Sequence, residues 1–193
     1  MGKKILVAYT TNAGSTAEVA EAIAKTLGQG GAQVDIRRIK EVADVKPYDA
    51  VIVGGPMMMG WHKEAVNFLG KNQQVLSQKP VACFFTALRL TKTGETSMGT
   101  ASIFLDPALA KAPKNENKLS FAEKMDTVAS YLSPVLKKAP LVKPVNFGFF
   151  AGKLDYSKLN IVQRLFVKLL IRAEGGDFRN WEAIRQWATN LNL

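Results

Sequence analysis

Five short runs of apolar, β-branched and aromatic residues, separated by helix-period stretches or by turn residues, constrain this chain more than any other feature. They fall at about residues 3–9, 33–38, 50–54, 80–86 and 145–151. Runs of this length without strict polar alternation read as strands buried on both faces, and the segments between them supply the cover. That rhythm specifies β-α units around a parallel sheet. Between the first two runs, residues 15–27 place Val19, Ala20, Ile23, Ala24 and Leu27 on one helical stripe, which Gly28, Gly30 and Gly31 bring to an end. Residues 40–48 are too few and too polar for a full helix and read as a turn or a brief helical piece. The stretch 89–119, rich in Thr, Gly, Lys, Pro and Asn, reads as an insertion after the fourth strand, of the kind used as a lid or binding loop. Ser120 followed by Glu123 forms a capping-box pattern that opens a helix over 120–136.

A chain of 193 residues that is 47% hydrophobic can close one core, so residues 1–193 are read as a single domain. The lone cysteine, Cys83, lies in an apolar run and reads as a small buried hydrophobe. The apolar stretch near the start is too short for a signal segment, and no run approaches the ~20 residues of a spanning helix, so the cytoplasm is the expected compartment. The net charge is +10, and it is concentrated. Residues 137–172 hold eight basic side chains against one acid, a local balance of +7. Such a patch attracts an anionic cofactor, substrate, lipid surface or nucleic acid. Nucleic acid is disfavoured, because no binding motif and no interleaved exposed aromatics accompany the charge.

The most informative motif follows the first strand. Thr10, Thr11, Asn12, Ala13, Gly14, Ser15 and Thr16 connect Tyr9 to the first helix. The first N–H groups of a helix lack intrahelical partners, and the helix dipole adds positive potential there, so an anion belongs at that point. Thr11, Ser15 and Thr16 supply hydroxyl donors, while Asn12, Ala13 and Gly14 can present backbone N–H groups in a concave nest. The loop has neither the Gly-Lys-Ser/Thr ending of a triphosphate loop nor the spaced glycines of a dinucleotide fingerprint. Neutral donors in place of a lysine suit a terminal monophosphate.

The run from Tyr9 to Thr16, continued by Ala20 and Ile23, resembles the flavodoxin signature. The resemblance implies a flavodoxin-like doubly wound α/β fold with a five-stranded parallel sheet in the order 2-1-3-4-5, and FMN as the cofactor held by this loop. In sheets of that type the ligand lies beyond the carboxyl ends of the strands at the switch point. Two further loops are thereby implicated: Pro56, Met57, Met58, Met59, Gly60 and Trp61 after the third strand, and Thr86, Ala87, Leu88 and Arg89 after the fourth. Trp61 either stacks on the flavin or packs at the loop base, and His62 reads as a surface residue at a helix start.

Residues 158–172 read as an extra basic helix after the fifth strand, with a broad apolar face and with Arg164, Lys168 and Arg172 on one stripe. The helix either lies on an anionic membrane surface or packs on the core with a solvated basic edge. A final helix over 179–191 turns Trp181, Ile184, Trp187, Ala188 and Leu191 inward. The insertion, the basic helix and the Gly175-Gly176-Asp177 turn together resemble the menaquinone-dependent protoporphyrinogen dehydrogenase branch of the flavodoxin superfamily. That resemblance implies an FMN-dependent oxidoreductase, peripheral on the membrane, that oxidises a porphyrinogen-like tetrapyrrole and passes electrons to a quinone. The alternative is an electron carrier of the flavodoxin type with no small-molecule substrate of its own. No catalytic acid or base and no metal ligand set can be named from the residues.

Overall fold

The computed structural model describes residues 2–57, 60–158 and 175–193. Met58 and Met59, and the helix expected over 158–172 with Arg164, Lys168 and Arg172, fall outside the described residues or at their edge.

Strands β1 (Lys4–Tyr9), β2 (Gln33–Arg38), β3 (Ala50–Pro56) and β4 (Val81–Ala87) alternate with helices α1 (Ser15–Gln29) and α2 (Lys63–Leu76). The inserted region follows with β5 (Leu90–Thr91), β6 (Ser97–Met98), β7 (Ala101–Leu105) and β8 (Ala110–Lys111). Helices α3 (Phe121–Met125) and α4 (Val128–Lys138) lead into β9 (Asn146–Ala151), and β10 (Lys153–Leu154), β11 (Gly176–Asp177) and α5 (Trp181–Thr189) complete the described elements. The main sheet runs β2-β1-β3-β4-β9-β7-β6. Its first five strands are parallel and stand in the expected 2-1-3-4-5 order.

Two features depart from the sequence reading. The sheet has seven strands instead of five, because the insertion is not a structureless loop. β7 pairs in parallel with the outer edge of β9, and β6 folds back on it antiparallel. Ile103 and Leu105 then face one core and Phe104 the other, so the pairing covers an edge that β9 would otherwise leave open. Asp106 fixes the addition. Fully buried, its carboxylate accepts hydrogen bonds from the Ala108 and Ala151 N–H groups at 2.9 and 3.0 Å and from the Asn180 side chain at 3.1 Å. The second departure is the helix expected over 120–136, which is two helices: Ser120 and Glu123 form the capping box of α3, and Thr127 caps α4 afresh by accepting the Ser130 N–H.

The all-apolar burial of β3 and β4 follows from cover on both faces. α1 and α5 enclose one core around Ile23, Phe84, Phe150 and Trp187. α2 and α4 enclose the other around Leu69, Phe85, Leu132 and Phe149, in which the Phe85 and Phe149 rings stack at 4.6 Å. The carboxyl ends of β1, β3 and β4 therefore open along one rim, with helices below on either side.

Candidate functional site: three loops at the carboxyl ends of the strands

The loop after β1 begins as an extension of the sheet, since the Thr10 N–H donates to the Gly54 carbonyl at 2.9 Å. Thr11 Oγ1 accepts the Gly14 N–H at 2.9 Å, which leaves its own hydroxyl proton to donate outward. Gly14 caps α1 with φ +92°, a backbone region that L side chains rarely adopt, and its carbonyl accepts the Ala17 N–H at 3.0 Å. The N–H groups of the first helical turn ahead of Ala17 have no carbonyl to pair with inside α1. Ala13 and Ser15 are half-buried beside them, and the Ser15 hydroxyl has no hydrogen-bond partner among the described residues. Thr16 differs from expectation. Its hydroxyl lies 2.9 Å from that of Thr86 in a buried pair, so it ties the loops after β1 and β4 together instead of facing outward.

The loop after β3 is pinned at both ends. The Met57 N–H donates to the Thr86 carbonyl at 2.8 Å, Met57 bridges to Trp61, and the His62 N–H returns to the Pro56 carbonyl at 3.2 Å. Gly60, at φ +114°, makes the reversal. Trp61 resolves the two readings of the sequence toward packing: it is 4% exposed, lies 4.6 Å from the Phe85 ring, and donates from Nε1 to the Gly55 carbonyl at 3.3 Å. Gly55 is what admits it, for a Cβ there would approach the indole nitrogen to 2.9 Å. In this geometry the indole offers no open face for stacking.

After β4, Thr86 and Ala87 are buried, Leu88 is half-buried and Arg89 is exposed. Arg89 turns toward the α3–α4 junction, where its guanidinium lies 3.5 Å from Asp126 and its carbonyl accepts the Tyr131 hydroxyl at 2.9 Å. Burial pushes the Asp126 carboxyl above its ordinary range, against the opposing pull of the Tyr131 hydroxyl and of Arg89. Burial likewise pushes the Tyr131 phenol upward.

Three strand-end loops thus gather around a hydroxyl-rich helix entry at the β1/β3 switch point, and residues 6–180 match the family model described as the Flavodoxin domain. The chain belongs to the flavodoxin-domain family. Within the curated proteins it is 21% identical to protoporphyrinogen IX dehydrogenase [quinone] of Escherichia coli strain K12 over 199 residues, covering 97% of this chain and 94% of that one. It is 24% identical to the Leishmania major protein of the same name over 206 residues, covering 97% of this chain and 74% of the relative. Among solved structures it is similar to the two-electron reduced Megasphaera elsdenii flavodoxin, at 13% identity, a TM-score of 0.48, and coverage of 97% and 99%.

This flavodoxin domain holds two site features that the sequence reading missed. His62 is not merely a surface residue. It caps α2 by accepting the Glu64 N–H on Nδ1 at 3.4 Å, and its Nε2 lies 3.1 Å from Asn12 Oδ1. Through these two contacts the imidazole joins the β3 loop to the loop after β1. The Thr10 hydroxyl completes the joint by donating to Glu64 at 2.8 Å. The second feature is Arg179, whose side chain is only 3% exposed. It pairs with Glu18 of α1 at 2.8 Å and with Asp177, stacks over Trp181 and donates to the Ser15 carbonyl at 3.4 Å. Its hydrogen bond holds the Asp177 carboxyl below the usual range. A histidine one residue before a helix is a readable capping signal, whereas nothing in the local sequence links Arg179 to Ser15. Among the described residues no helix is long and apolar enough to cross a membrane.

Proposed function

We propose that this domain binds FMN with its phosphate in the loop 10–16 and acts as an oxidoreductase that withdraws hydrogen from a reduced tetrapyrrole and delivers electrons to a quinone. The observation that carries the reading is the joining of three strand-end loops at one place. Thr10 bonds to Gly54, Met57 to Thr86, and Thr16 to Thr86, so the loops after β1, β3 and β4 meet at the β1/β3 switch point.

The residues present fit a phosphomonoester. Gly14 adopts the left-handed backbone with open space around it, the Thr11 hydroxyl is oriented to donate by its bond from Gly14, and Ser15 keeps an unpaired hydroxyl beside the first N–H groups of α1. FMN, when bound, supplies a two-electron acceptor, and the protein's part is to place it and shape its surroundings. By the topology of the sheet the ring would lie beyond the ends of β3 and β4, near Met57 and the segment Ala87, Leu88 and Arg89 at those ends. The substrate class is supported by relatives of that activity that align along nearly the whole chain. The +10 charge favours a substrate bearing carboxylates. The basic residues Arg164, Lys168 and Arg172 are assigned to an anionic membrane surface where a quinone would be met.

Purified protein is expected to be yellow and to release FMN on denaturation, and Thr11→Ala combined with Ser15→Ala is expected to weaken FMN at least about tenfold. Colourless protein with no affinity for added FMN would overturn the cofactor assignment. Incubation with protoporphyrinogen and a menaquinone analogue is expected to raise porphyrin fluorescence above the autoxidation rate. FMN-loaded protein that leaves the porphyrinogen untouched while exchanging electrons rapidly with ferredoxin-type proteins would establish the carrier reading instead.

A further inference from the structure

A cavity of about 270 Å3 lies beside the phosphate loop, and half of its wall has no part in the flavin reading. β1 and β2 stay in register to their ends, with Tyr9 opposite Arg38, so Arg38 leaves the sheet where the loop 10–12 begins. A 3-10 turn (Ile39–Glu41) follows at once, burying Ile39 and leaving Lys40 exposed. Arg38 and Lys40 both line the cavity, and neither has a carboxylate within ion-pair distance among the described residues.

The facing wall is made by Thr11, Asn12, His62 and Glu64, and its hydrogen bonds settle which groups remain to meet a ligand. Asn12 Oδ1 is engaged by His62, so the Asn12 amide N–H groups are left to donate. Thr11 keeps its hydroxyl proton. Glu64 receives the Thr10 hydroxyl on Oε2, which leaves Oε1 as an acceptor. With FMN bound the Thr11 hydroxyl serves the flavin phosphate, so the cavity presents two cations, the Asn12 amide and one carboxylate oxygen. A bare anion would set Glu64 against like charge, and a neutral sugar would leave both cations unanswered. A phosphorylated sugar satisfies both, its phosphoryl oxygens meeting the guanidinium and ammonium groups and a ring hydroxyl meeting the carboxylate. The pocket meets the phosphate cradle at Thr11 and Asn12, which line both, and extends from there toward Arg38, Lys40 and Glu64, with His62 and Glu64 introducing α2 on the face of the sheet opposite α1.

We propose that this pocket is a second site that binds a ribose phosphate. The group has two possible sources: the adenylate half of FAD, continuous with a flavin in the neighbouring site, or a separate adenine nucleotide. The proposal goes beyond the flavin reading and does not depend on it.

Calorimetry on the full chain tests it. FMN-loaded protein is titrated with ADP and with pyrophosphate, and flavin-free protein with FMN and with FAD. ADP binding that falls about tenfold or more in the double variant Arg38→Gln, Lys40→Gln supports the site. A loss in Glu64→Gln for ADP but not for pyrophosphate supports the sugar contact. FAD binding about tenfold tighter than FMN, with ADP excluded from the FAD-loaded chain, identifies the flavin dinucleotide as the source. ADP binding alongside FMN, with FAD no tighter than FMN, identifies a separate nucleotide. The proposal is overturned if the FMN-loaded chain takes neither ADP nor pyrophosphate and FAD has no advantage, or if ADP binding ignores the loss of both cations. Equal affinity for ADP and pyrophosphate in both the parent and Glu64→Gln overturns the sugar assignment. A chain that binds ADP but no flavin leaves this pocket standing and removes the flavin reading.

Discussion

A hydroxyl pair such as Thr16 and Thr86, 2.9 Å apart and closed to water, holds two loops only while both partners are present. Thr16→Val leaves the Thr86 hydroxyl buried and unmatched, and the expected cost is about 1–3 kcal/mol in denaturant unfolding. Thr16→Val with Thr86→Val should cost less than the sum of the single changes, and a double-mutant cycle measures the difference. Strict additivity would show that the pair is not coupled. This residue-scale detail also marks the limit of what could be read beforehand. The types and spacing of residues 10–16 made the turn from strand into helix legible, because helix N-termini and hydroxyl donors have local physics. Which hydroxyl faces outward depends on β4, which lies 70 residues away in the chain, and so Thr16 was assigned to the ligand when it serves the scaffold. Trp61 is the same case, since Phe85 and the missing Cβ of Gly55 decide its orientation.

Among the elements, α3 shows how a short helix can depend on pH. Hydrogen bonds from the Ser120 side chain and from the Lys114 and Ser120 N–H groups lower the Glu123 carboxyl to about 2. A carboxylate with a depressed folded value contributes stability in full above its ordinary range near 4.5, and that contribution is lost as pH falls through about 2. Amide protection in residues 121–125, corrected for the intrinsic exchange rate, is therefore expected to fall between pH 4.5 and 2 in the parent, and to be low and flat across that window in Glu123→Ala. The inserted strands are held by a different device. Asp106→Ala leaves the Ala108 and Ala151 N–H groups and the Asn180 amide without their acceptor, a loss of at least about 2 kcal/mol, with exchange in β7 rising first. The capping box was plain in the sequence because its two partners are three residues apart. β7 was not recognised, although Ile103, Phe104 and Leu105 between Gly99 and Asp106 form a short strand-like run, because the Thr, Gly and Lys around them dominated the composition.

For the molecule as a whole, the apolar runs and their spacing specify β-α units around a parallel sheet, and the five-strand order was recoverable because one loop resembles the flavodoxin signature. The outer strands were not, since edge pairing is a choice made in three dimensions. Ligand binding acts at this scale too. FMN at about a hundred times its dissociation constant should add about 2.7 kcal/mol to stability. For a chain of this size that raises the melting temperature by roughly 5–10 °C, and an unchanged melting temperature at saturating FMN would contradict specific binding to the folded form. The clasp of Arg179 on Glu18 and on the Ser15 carbonyl reaches across 164 positions of the chain. A ribosome making this protein exposes the loop after β1 well before the side chain that steadies it, which comes 164 positions later. Flavin capture is accordingly expected only once Arg179 has emerged, so that a nascent chain short of it stays flavin-free and redox-silent.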